Sequence, residues 1–188
     1  MNPRTISVLS LAGLILLAGG CSRLLKEGLG GATGAKGVAI DLKPVATTSS
    51  DRPLGAYERF ELGSITDGIS GRTPADLLTQ LPAEFVKQLA AKKLPNPASG
   101  RTLVVRGEIL HYEASGLFGQ AFGPLEEVIA RIELVDKDSG NVLGVANCVG
   151  RTKESVNMGV RAKAEGLAKA IVGWIDKLYP DDKRTNAE

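Results

Sequence analysis

The sequence predicts an α+β fold, a two-layer sandwich in which a mostly antiparallel sheet carries two helices on one face. Three observations predict it. Several segments alternate apolar and polar residues with period two, as half-buried strands do. Two longer segments repeat their apolar residues at helical spacing. The order from Tyr57 onward is strand, helix, three strands, helix, which pairs strands mostly as neighbours and leaves the helices to cover one face.

Each element has its own signals. Tyr57 to Ile65 reads as a strand with Phe60 and Leu62 on one face and Glu61 on the other. Thr73-Pro74-Ala75-Asp76 is a helix start: a capping Thr, Pro at the first helical position and an acid in the first turn. Leu77, Leu78, Leu81, Phe85, Val86 and Leu89 follow at helical spacing. Pro82 inside that run predicts a kink or a split into two helices, and Pro95-Asn96-Pro97 ends the segment. Arg101 to Glu113 is a strand with Leu103, Val105 and Ile109 on one face. Glu127 to Val135 turns Val128, Ala130, Ile132 and Leu134 inward, and Val142 to Thr152 returns beside it through the turn Asp136-Lys137-Asp138-Ser139-Gly140-Asn141. Met158 to Tyr179 closes the fold as a helix with Val160, Ala164, Leu167, Ala168, Ile171, Trp174, Ile175 and Leu178 in one stripe. Gly166 and Gly173 within it are costly in a helix and predict close approach to the sheet. Pro180 stops the helix.

Upstream of this module the chain carries an address. Arg4 and the amino terminus precede an apolar run from Ile6 to Leu17, which is followed by Ala18-Gly19-Gly20-Cys21. A basic start, a short apolar stretch and small residues make a secretory signal. The run is too short for the roughly 20 apolar residues that span a bilayer. Leu17-Ala18-Gly19-Gly20-Cys21 resembles the lipobox of bacterial lipoproteins, with Ala18 where Leu is usual. The resemblance implies that Cys21 is acylated and becomes the new amino terminus, and two or three acyl chains hold a protein stably at a membrane. Ser22, where Asp would signal inner-membrane retention, implies sorting to the outer membrane facing the periplasm if the host is Gram-negative. Residues 1–20 are thus read as the signal, and 21–52 as the lipidated Cys and a Gly-rich tether. Residues 53–180 form one domain and 181–188 a polar tail. Val38-Ala39-Ile40-Asp41-Leu42, inside the tether, reads as a short strand ended by Pro44.

Composition excludes several classes. One His and two Cys among 188 residues leave little for a metal site, and no cofactor motif is present. A net charge of +2 and 4% aromatic residues argue against nucleic acid as a partner. The glycines of the tether lack phosphate-loop spacing, since Thr33 stands where the third Gly of a dinucleotide loop belongs. The Asp136 turn resembles the opening of a calcium loop but has Asn141 and Asn147 where Gly and Glu are required, so it reads as a hairpin turn.

Candidate chemistry is sparse. His111 and Cys148 are the only nucleophile and base pair available. A symmetric six-residue loop pairs Val135 with Val142 and Ile129 with Cys148, which puts Cys148 on the outer face and His111 on the inner. One bulge reverses either placement. Arg106/Glu108 and Arg131/Glu133 alternate as cross-strand ion pairs on a solvated face do. No catalytic residue is assigned. The segment 115–123 places Leu117, Phe118 and Phe122 in a Gly-rich loop, a candidate contact for a partner or ligand.

Across Tyr57 to Tyr179 three features resemble an uncharacterised, DUF4410-like family of bacterial lipoproteins. They are the 103–109 strand with its Gly-rich loop, the Glu133–Asp136 strand with its Asp138-Ser139-Gly140 turn, and the 166–171 helix segment. The layout is similar to the small α/β module at the N-terminus of TolB and in curli-secretion lipoproteins. The reading that follows is a membrane-anchored cell-envelope lipoprotein, held by lipid on Cys21, that binds or assembles with an envelope protein or polymer and is not an enzyme. A periplasmic carrier or sensor of an apolar ligand is the alternative, and a hydrolase the remote one.

Overall fold

The computed structural model describes residues 35–46, 52–113, 127–152 and 159–185. Five strands form one sheet: β1 (Lys36–Lys43), β2 (Arg59–Asp67), β3 (Thr102–Tyr112), β4 (Glu127–Asp136) and β5 (Val142–Arg151). Two helices, α1 (Ala75–Ala91) and α2 (Gly159–Leu178), complete the α+β architecture. The spatial order is β1-β5-β4-β3-β2. β1 with β5, β5 with β4, and β4 with β3 pair antiparallel. β2 pairs parallel with β3, as the intervening α1 requires. The sheet therefore begins upstream of residue 53, within the stretch read as tether.

Both helices lie on one face. α2 covers β1, β5 and β4 and packs along α1. Leu77, Leu81, Phe85 and Leu89 of α1 and Leu167, Ile171, Trp174 and Ile175 of α2 are buried with Phe60, Leu103, Val105, Ile109, Val128, Ala130, Ile132 and Leu134 of the sheet. Phe60 meets Tyr179 edge-on with ring centres 5.6 Å apart.

α1 is one continuous helix through Pro82. The expected split does not occur, and Pro82 lies on the exposed side of the helix. Leu77, Leu81, Phe85 and Leu89 stay in phase as a stripe on its buried side. Val86, assigned to that stripe by spacing, is 55% exposed instead. Pro74 occupies the N-cap, while the Thr73 hydroxyl donates to Asp67 at the end of β2. At the other end, Asp181–Lys183 forms a 3-10 turn and the Thr185 N–H donates to the Lys93 carbonyl at 3.0 Å, so the start of the polar tail is tied to the end of α1.

α2 approaches the sheet at backbone distance. A Cβ on Gly150 would lie 2.4 Å from the Leu167 nitrogen, and one on Gly37 would lie 2.2 Å from the Ala170 nitrogen. A Cβ on Gly166 would come within 3.0 Å of the Lys36 carbonyl oxygen and 3.1 Å of Gly150 Cα. Gly166 thus has the role its cost implied. Gly173 does not, because nothing lies within 4 Å of its virtual Cβ.

Gly150→Ala therefore lowers the unfolding midpoint, since backbone must move, at a cost of about 1–3 kcal/mol. Gly173→Ala raises it, by about 1 kcal/mol of helix propensity. Thermal unfolding of the two variants checks both signs, and equal shifts would contradict the close-packed seam.

Candidate functional site

The lipidation candidate, Cys21, and the contact candidates Leu117, Phe118 and Phe122 lie outside the described residues. What the structure describes is the pair of strands that flanks residues 114–126. There β3 and β4 set Tyr112 opposite Val128, and the Glu113 N–H donates to the Glu127 carbonyl at 3.0 Å. Beneath this end sits Lys163 of α2, only 1% exposed, whose ammonium lies 4.4 Å from the Tyr112 ring centre and donates to the Glu113 carbonyl. A cation over an aromatic face with a carbonyl acceptor tolerates such burial. Sequence reading missed Lys163, although it stands three residues after Val160 and four before Leu167, at core spacing.

The opposite end of the β3–β4 hairpin is organised by Asp136, 3% exposed. One carboxylate oxygen accepts from the backbone N–H of Ser139 at 2.9 Å, from that of Asp138 at 3.1 Å and from the Ser139 hydroxyl at 3.0 Å. The other accepts from the Tyr57 hydroxyl at 2.7 Å and from Arg101 at 2.7 and 3.2 Å. The hairpin-turn reading holds, with Gly140 at φ 72° closing the turn. Donation from the Ser139 N–H, then from Tyr57 and Arg101, holds the Asp136 carboxyl well below the usual carboxylate range. Burial, and then the hydrogen bond to Asp136, pushes the Tyr57 hydroxyl up to about 12.

The face of the sheet away from the helices divides in two. On β3 and β4, Arg106 lies opposite Glu133 with 2.8 Å between charged atoms, and Glu108 lies opposite Arg131 at 3.7 Å. These are the cross-strand pairs the alternation implied. They line a groove of about 320 Å³ together with Ser64 and Thr66. On β1 the same face is aliphatic, with Val38, Ile40 and Leu42 exposed by 45, 56 and 51%. A second groove, of about 400 Å³, lies between the two helices and the start of β1, with Lys36, Gln88, Lys92 and Lys169 among its lining residues.

Cys148 and His111 stay apart, with both placements reversed. A register shift between Leu134 and Val135 keeps Val135 opposite Val142 but sets Cys148 against Ala130, on the helix-facing side. Another between Ile109 and His111 sets His111 against Ile129, on the outer side, where it is exposed. Burial, with a smaller contribution from the Asp41 charge, pushes the Cys148 thiol up to about 12, so it packs as a small apolar group. Among the described residues no group of three or more His, Cys, Asp or Glu is placed to hold a metal ion. None of their helices is long and apolar enough to cross a membrane.

No family model matches the chain, so the DUF4410-like and TolB resemblances rest on the quoted motifs alone. No curated protein matches either. Among solved structures, PelC from Paraburkholderia phytofirmans, described as a dodecamer, is similar at 15% identity with a TM-score of 0.49, covering 76% of this chain and 97% of that one. A minor lipoprotein from Acinetobacter baumannii gives 17% identity and a TM-score of 0.39, over 64% of this chain and 93% of that one. A DUF330 protein from Xanthomonas campestris gives 12% and 0.44, over 70% and 91%. Likenesses at this level assign neither a family nor an activity to the chain.

Two outcomes follow from the buried groups. Asp136→Asn loses about 2 kcal/mol at neutral pH. Because the folded carboxyl titrates below its unfolded value of about 3.9, the stability it supplies is present above that pH and is lost as pH falls further. Urea titrations should show the gap between wild type and variant narrowing below about pH 4; a gap constant with pH would remove the ionised hub. A maleimide should leave Cys148 unmodified in the folded chain and modify it in urea, as peptide mass reads directly.

Proposed function

We propose that the chain is a membrane-anchored cell-envelope lipoprotein whose folded module works by binding or assembly rather than catalysis. One observation carries this reading: the succession of Arg4, the apolar run from Ile6 to Leu17, and Ala18-Gly19-Gly20-Cys21. A peptidase needs small residues at that point to reach the backbone, and acyl chains on Cys21 would hold the module at a bilayer.

The disposition of charge supports the second half of the reading. A glycosidase needs two carboxylates facing each other across a cleft. Here the more buried carboxylates are held by cations or by backbone. Glu61 is held by Arg59 and Lys137, Glu127 by Arg151, and Asp176 by Lys92 and Arg184. Glu84 takes Lys87 from its own helix and Arg161 from α2. Groups spent this way brace the fold. The partner in this reading is an envelope protein or polymer, and in a double-membraned host the module faces the periplasm from the outer membrane.

Intact mass of the protein extracted from its own membranes tests the anchor. The expected chain begins at Cys21, carries the added mass of acyl chains and partitions into detergent, and Cys21→Ser loses both properties. A wild-type mass without acyl groups would overturn the lipoprotein reading. Crosslinking in intact cells tests the rest, with an envelope component expected on the module and its repeated absence counting against a binding role.

A further inference from the structure

We propose that the outer face of β1 is the surface on which the module rests against the bilayer that holds its lipid, an inference that depends on the lipoprotein reading. Val38, Ile40 and Leu42 are three of the four large hydrophobic side chains exposed among the described residues, and the fourth, Val86, stands alone on α1. Val38 and Ile40 share the face away from α2, and Leu42, the extra residue of a bulge between Asp41 and Lys43, is exposed beside them on this edge strand. On β5 the same face carries Val149, buried opposite Val38, then Asn147 opposite Ile40 and Val145 opposite Lys43. Three aliphatic side chains left exposed together along a sheet edge mark a contact.

Chain length and charge specify the occupant. β1 is the first described strand after Cys21. The fourteen residues from Ser22 to Ala35 reach at most about 50 Å when extended, which is the upper bound on the distance from an acylated Cys21 to this strand. Lys36 and Lys43 flank the triad at the two ends of β1, and the Lys169 ammonium binds the Ala35 carbonyl beside its start. Asp41, the only acid of the strand, has the opposite parity and lies on the helix side, opposite Ala146. Aliphatic side chains bracketed by lysines match the boundary between acyl chains and anionic headgroups, where the lysine stems extend along apolar surface and their ammoniums meet phosphate. A protein partner reading a sheet edge would have no need of that bracket.

The test places an environment-sensitive fluorophore on the lipidated chain through Ile40→Cys or Leu42→Cys, with Val86→Cys as the comparison. Cys21 is consumed by lipid and Cys148 is buried, so neither competes for the label. The protein is reconstituted into phosphatidylethanolamine–phosphatidylglycerol vesicles whose acyl chains are brominated. Emission at positions 40 and 42 should be roughly halved by the brominated lipid while emission at 86 is unchanged, as shallow burial at the headgroup boundary requires. Equal emission at all three positions in an acylated chain would overturn the resting surface and leave the anchor standing. Self-quenching between labelled copies that persists in detergent would assign the face to a second copy and overturn it as well. A chain without acyl mass would overturn the anchor, and the inference with it.

Discussion

The seam where α2 meets β1 and β5 constrains the rest of the molecule. Ordinary helix-on-sheet packing keeps side chains between the two backbones, near 10 Å apart. Here Gly37 and Gly150 face Gly166, Leu167 and Ala170 with no room for a Cβ. That approach decides which way β1 can face. Gly37 and Ala39 fit beneath the helix, and Val38, Ile40 and Leu42 do not, so the large residues of the strand turn away from the core. A strand with a normal helix above it would bury its aliphatic residues and expose its small ones. The inversion at β1 follows from three glycines, of which Gly37 lies more than a hundred residues before Gly150 and Gly166.

With α2 pressed onto one end of the sheet, the other end is held by polar bonds. Asp136 gathers the strand entry at Tyr57, the start of β3 at Arg101 and the β4–β5 turn at Ser139 onto one carboxylate. An ionised group with so little exposure is tolerable only when its lone pairs are this fully engaged. Such a hub fixes register as well as adding stability, since a slip of one residue in β4 would turn Asp136 to the other face and orphan every donor around it. The ladder of Arg106, Glu133, Glu108 and Arg131 reinforces the same register on the outer side at little energetic gain, because its members remain solvated.

Much of this architecture was legible because it rests on local periodicity. The faces of β3 and β4, the stripe of α2 and the Asp136 turn follow from spacing that any half-buried element must show. Three features were not. The shifts at Leu134/Val135 and Ile109/His111 add a residue to one strand without changing its alternation, so each silently exchanges faces for everything beyond it. His111 and Cys148 kept their separation only because both were exchanged. Pro82 does not split α1, and whether a proline does so depends on which side of the helix loses a donor, a matter of tertiary placement. β1 was seen as a strand but left in the tether, since its partner β5 lies about a hundred residues downstream and nothing local announces the pairing. Of the candidate sites, Cys21 and the 117–122 aromatics came from sequence alone, whereas the β1 face could come only from structure.

That difference bears on where function can reside. Ionisable groups are the usual currency of chemistry, and in the described residues the buried ones are committed: Asp136 to its donors, Lys163 to Tyr112 and the Glu113 carbonyl, Cys148 to apolar packing. Donors hold the Asp136 carboxyl ionised and burial holds the Cys148 thiol protonated near neutral pH, and truncating Lys163 would orphan the Glu113 carbonyl. Aliphatic surface is under no such commitment. Exposing it costs solubility and returns nothing to the fold, and Val38, Ile40 and Leu42 could be polar without disturbing the glycine seam behind them. Surface residues that the core does not require and the solvent disfavours mark a contact, and the three at β1 are those that the proposed rest against a bilayer would take out of water.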